Sequence, residues 1–95
     1  MNEWLFVKCK RTDDNSYEIT ITTPHYSILD ASEDVEKGFA NFYKEFPTSL
    51  IRMTEIEEVD TRVIVATLSV AFHSDAKRST ISSALKAIST VMSVS

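Results

Sequence analysis

The chain has 95 residues, 43% apolar and 25% charged, which is the range of a folded domain and excludes a disordered one. That length suits one domain over residues 1–95, with a small core. With 14 Asp and Glu against 10 Lys and Arg, the formal charge is −4, which disfavours unselective attraction to nucleic-acid backbones or anionic membranes.

Cys9 is the single cysteine, so no internal disulfide forms, and a reducing, cytosolic compartment is expected. The short apolar run Trp4-Leu5-Phe6-Val7 follows an acidic residue and does not read as a signal peptide. No stretch reaches the ~20 apolar residues of a membrane span, so no membrane partner is expected.

In chain order, Glu3 to Arg11 reads as a strand in which Leu5, Val7 and Cys9 alternate with Trp4, Phe6, Lys8 and Lys10. Thr12 to Ser16 is a cluster of turn-forming polar residues. Tyr17 to Thr23 is a second strand, with Tyr17, Ile19 and Ile21 on one face and Glu18, Thr20 and Thr22 on the other. A hairpin with a five-residue loop follows from this spacing, and Pro24 ends the second strand because it lacks a ladder donor.

A first helix is expected from about Asp30, with Asp30 and Glu33 as a capping box and Ser32 as a competing cap. Val35, Phe39, Phe42, Tyr43 and Phe46 form its apolar stripe, and Pro47 stops it. A third strand spans about residues 50–58. Ile51 and Met53 share a parity with Glu55 and Glu57, so this strand has no clean apolar face and runs out to solvent. Arg62 to Phe72 is the strongest strand: it is β-branched and apolar on both faces, as a central strand would be.

Ser74-Asp75 is the expected cap of a second helix, whose stripe is Ile81, Ala84, Leu85, Ile88, Val91 and Met92. Its opposite face is mostly Ser and Thr. The expected fold is α+β, ββαββα, with an antiparallel sheet of about four strands and both helices on one face. The two ββα units share architecture but little residue identity. Gly38 is the one glycine, so tight primed turns are not expected and longer polar loops take their place.

The same glycine count excludes phosphate cradles of the P-loop or dinucleotide kind; Gly38, inside a helix, reads as a close-packing position. His25 and His73, with Cys9 and an acid, are candidate material for a metal site, and a nucleophile–base pair would need Cys9 or a serine near one of these histidines; the serines carry no elbow motif. No metal-binding spacing joins them, and Cys9 reads as a buried structural thiol. The acidic run Glu55, Glu57, Glu58 and Asp60 could in principle do acid–base work, but reads first as a solvated or protein-docking surface.

Trp4, Phe6, Lys8 and Lys10, with Arg11 beside them, place rings and cations on one strand face. Single-strand nucleic-acid platforms have that pattern, and so does a protein-contact face. The reading that follows is a non-catalytic protein-interaction module without cofactor or metal. It suits a small acidic regulator or inhibitor, of the size that viruses also encode. It would bind a larger protein or form a homodimer through its sheet, using Trp4, Phe6, Lys8, Lys10, Glu55, Glu57, Glu58 and Asp60. A nucleic-acid module built on the first strand is the first rival, and a small metal protein or enzyme is the second.

Overall fold

The computed structural model describes residues 4–24 and 27–92; for residues 6, 7 and 89–92 it describes the backbone alone. The chain folds as α+β in the order β1 (Leu5–Asp13), β2 (Ser16–Pro24), α1 (Ile28–Glu45), β3 (Leu50–Asp60), β4 (Val63–Ala71) and α2 (Arg78–Met92). The strands form one sheet of spatial order β1-β2-β4-β3, antiparallel at each pairing. The two strands richest in β-branched residues are therefore central, and the two charged strands are the edges.

The core lies on one side of this sheet. Ile64, Ala66, Leu68 and Val70 of β4 are fully buried, as are Ile19 and Ile21 of β2, which pair with Leu68 and Ala66. α1 covers them with Ala31, Val35 and Phe42, and α2 with Ala84 and Ile88. α1 lies against β3, α2 lies against β1, and the helices pack on each other. The expected stripe of α1 is the one used: Phe39, Tyr43 and Phe46 pack at the rim of the same cluster. Each fully buried side chain of this size contributes about 1.5–3 kcal/mol. The Tyr43 hydroxyl also accepts from Ile51 N at 2.9 Å and donates to Ile51 O at 3.0 Å, tying α1 to the edge strand β3.

Several local expectations need correction. α1 begins at Ile28, two residues before Asp30, because Ser27 caps it by accepting from Asp30 N at 3.2 Å. α2 begins at Arg78 and not at Ser74-Asp75; there Asp75 N donates instead to His73 Nδ1 at 3.1 Å, closing a local turn. Both hairpins are tight: Asp14-Asn15 joins β1 to β2 and Thr61-Arg62 joins β3 to β4, without glycine. In the second, Arg62 takes the left-handed conformation at φ 60°, where glycine is the usual occupant.

The two ββα units are related by a pseudo-two-fold axis through the pair Thr20 and Thr67. A shift of 47 residues carries Ser16–Pro24 onto Val63–Ala71. The same shift carries the register break between Phe6 and Lys8 onto that between Met53 and Glu55, and the break between Arg11 and Asp13 onto that between Glu58 and Asp60. It also places Trp4 on Ile51, and both are buried core residues. Each edge strand thus carries two β-bulges at matching places, and each bulge flips the faces of the residues beyond it.

Candidate interaction surface

The bulges decide which side chains meet. Beyond the break that follows Phe6, Lys8 pairs with Thr20 and Lys10 with Glu18, whereas Cys9 pairs with the buried Ile19. Lys8 and Lys10 therefore lie on the sheet face away from the helices. Trp4, before the break, is 1% exposed within the core on the helix side. The expectation that Trp4 shares a face with Lys8 and Lys10 is corrected on this ground: strict alternation fails at the bulge. Phe6 pairs through its backbone with Ile21, and its side chain lies outside those described.

The same device sorts β3. Ile51 and Met53 face the helices opposite Val70 and Leu68. After the break, Ile56 takes that side opposite Ala66, and Glu55 and Glu57 turn to the open face opposite Thr67 and Val65. Asp60 joins them opposite Val63. Glu58 does not, because it pairs with Ile64 and stands on the helix side at the exposed end of the strand. The apparent loss of an apolar face along β3 was a parity change.

The open face is a grid of three central rows, each crossing β1, β2, β4 and β3. The middle row is Lys8, Thr20, Thr67 and Glu55. On one side of it lies Leu5, Thr22, Val65 and Glu57; on the other lies Lys10, Glu18, Ser69 and Arg52. The centre is half-exposed and built of β-branched and small side chains. Its rim holds two strongly exposed leucines, Leu5 at 59% and Leu50 at 60%. The second face of β4, Val63, Val65, Thr67, Ser69 and Ala71, is thus less apolar than expected, and no layer of the described residues covers it. Threonines at 20 and 22 were readable as the outward set of β2. Arg52, Thr67 and Ser69 were not, because their neighbours depend on strand order.

The remaining candidates stay apart. Cys9 is exposed at the β1 edge, not buried as its alternation implied. Partial burial of its sulfur nevertheless raises its pKa, which disfavours the reactive thiolate. His73 is exposed, 3.6 Å from Asp75 Oδ2, and His25 lies outside the described residues. Among the described residues no three of His, Cys, Asp or Glu converge as a metal site would require. No described helix is long and apolar enough to cross a membrane.

A groove of about 330 Å³ lies between the β1–β2 turn and the first turns of α2, with Arg11 and Arg78 on its walls. Arg11 is occupied there: it donates to Asp13 O at 3.2 Å and Asp14 O at 3.1 Å, with the Asp14 carboxylate at 3.7 Å. Its role is to clamp the hairpin turn. Compared with known proteins, the chain matches no family model, no curated protein and no solved structure.

Proposed function

We propose that this protein is a non-catalytic interaction module, a small acidic regulator that works by docking the open face of its sheet on protein. One observation carries the reading: a four-stranded sheet has helices on one side and, among the described residues, nothing on the other, where Leu5 and Leu50 stand exposed. An antiparallel sheet tolerates one wet face, but the wet face is then usually strongly polar. Here its centre is Thr20, Thr22, Val65, Thr67 and Ser69, which are small and uncharged. The exposed thiol of Cys9 fits a reducing, cytosolic setting, in which it does not cross-link.

The nucleic-acid reading loses support at two points. Trp4, the stacking ring it needs, is inside the core, and Glu18 stands beside Lys10 on the same face. Replacing Thr20 and Thr67 by arginine puts two long cations at the centre of the open face and leaves the core untouched. Proteins retained on the immobilised wild-type chain, including the chain itself, are expected to be lost from Thr20→Arg/Thr67→Arg. An identical set of retained proteins on both would overturn the reading, with circular dichroism as the check that the variant is folded.

A further inference from the structure

We infer that the groove between the β1–β2 turn and α2 binds a small monocarboxylate with a compact apolar body. The groove lies on the helix side of the sheet, because Arg11 pairs with Tyr17, and Tyr17 shares a face with the buried Ile19. It is separate from the open face, and the docking reading above neither requires it nor depends on it.

Its lining has an apolar floor and charged walls. Tyr17, Ile81 and Leu85 form the floor, with the Tyr17 ring set edge-on to Phe72 at 6.1 Å. A volume of about 330 Å³ is at the small end of ligand pockets and takes one ring or a short chain. Arg11 and Arg78 stand on the walls. Arg11 is pinned through its bonds to the carbonyls of Asp13 and Asp14, which use Nε and Nη2 and leave Nη1 open. Arg78 is exposed, and no described residue pairs with it. Asp14 is the one acid of the lining; its carboxylate is 99% exposed and meets Arg11 only at 3.7 Å. Two cations and one acid leave a net charge of +1. A monoanion neutralises that charge, whereas a dianion reverses it. The planar guanidinium fork suits a carboxylate, and the floor suits an apolar body attached to it.

The pseudo-two-fold supplies an internal control. The strands repeat at 47 residues, but α1 begins at Ile28 and α2 at Arg78, 50 residues apart, because the connection over residues 72–77 is three residues longer than that over residues 25–27. By these shifts Arg11 answers to Glu58 and Arg78 to Ile28. The second hairpin and α1 thus fold with an acid and an apolar residue at these places, so the fold does not demand a cation at either. Two guanidiniums on the walls of one groove repel each other, and a carboxylate between them relieves the repulsion.

The test is titration of the isotope-labelled full chain with 4-phenylbutyrate, followed by backbone amide shifts in NMR spectra. Saturable binding with a Kd of about 1 mM or tighter is expected, from the ordinary efficiency of a ligand this small. The shifts are expected to centre on Asn15 and Ser82, which line the groove. The neutral 4-phenylbutanamide and the bare acetate ion are each expected to bind at least about fivefold more weakly, since one lacks the charge and the other the apolar body. Arg78→Gln is expected to weaken binding roughly three- to tenfold. Ser82→Trp fills the groove and is expected to abolish binding, whereas Lys86→Gln, on the same helix outside the lining, is expected to leave it unchanged. The same spectra report whether each variant is folded. No saturable shift at about 10 mM, an amide that binds as tightly as the acid, or an Arg78→Gln variant that binds like wild type would each overturn the inference. So would tighter binding of phenyl phosphate, or shifts centred on the open face or on Glu58 and Ile28. Thr20→Arg/Thr67→Arg is expected to bind 4-phenylbutyrate like wild type. Carboxylate binding without protein capture therefore sinks the docking reading alone, and capture without carboxylate binding sinks this inference alone.

Discussion

Laid on one another by a shift of 47 residues, the first ββα unit and the second agree in the length of their central strands, in two bulges each, and in a buried residue ahead of the first bulge. They disagree almost everywhere else. Lys8 answers to Glu55, Lys10 to Glu57, and Trp4 to Ile51. Burial imposes what is shared: a bulge in the wrong place would turn an edge strand's apolar residues to water. No burial term within one chain fixes the charges of the open face, so the two units are free to differ there. The comparison also separates two kinds of residue the alternation of the first strand had grouped: Trp4 belongs to the shared interior, and Lys8 and Lys10 to the divergent exterior.

The largest effect expected from breaking this comparison is at Trp4. Trp4→Ala removes a fully buried indole and should cost about 3–5 kcal/mol in denaturant unfolding. Because Trp4 is the one tryptophan, its emission is expected at short wavelength in the folded chain, poorly quenched by iodide, and shifted to long wavelength on unfolding. Free quenching in the native chain would return Trp4 to the surface and dissolve its equivalence with Ile51.

Legibility in the sequence followed the same division. The central strand β4, the stripe of α1 and the outward threonines of β2 were readable, because their periodicity runs without interruption and apolar side chains recur at one spacing. The edge strands were not. A bulge leaves no mark on composition, and one extra residue converts Trp4, Lys8 and Lys10 from one face into two. Ile56 was hidden in the same way. The tight turn at Thr61-Arg62 escaped because its left-handed position is filled by arginine, where glycine is the expected signal. The opposite charges of Lys8 and Glu55 were plain as residues, but their shared row appears only once β2 and β4 are known to be neighbours.

A smaller effect sharpens the comparison at the turns. Arg62 and Asn15 occupy matching positions in the two hairpins, yet only Arg62 has positive φ among the described non-glycine residues. Relief of the left-handed strain, less the entropy a glycine adds to the unfolded chain, should make Arg62→Gly more stable by about 0.5–1 kcal/mol. That is a rise of roughly 2–8 °C in Tm for a domain of this size. Asn15→Gly should do the reverse, because Asn15 has no such strain and its side-chain amide donates to His73 O at 3.1 Å. Equal responses at both positions would show that the two turns differ less than their backbones imply.

The smallest expected effect concerns Cys9, which matches Ile56 under the same shift but stands exposed where Ile56 is half-buried. Partial burial disfavours the thiolate and raises the pKa above the ordinary value of 9.0. Since the raised value belongs to the folded state, the thiol form is favoured by folding below pH 9 and that contribution fades as pH rises through the folded pKa. Alkylation of Cys9 at neutral pH should accordingly be slower than that of a free cysteine and should reach half its limiting rate above pH 9.0. Iodoacetamide labelling followed by intact mass against pH measures this directly. A midpoint below 9.0 would mean that β1 leaves the sheet edge often enough to present Cys9 to water, and the first unit would then be the looser of the two.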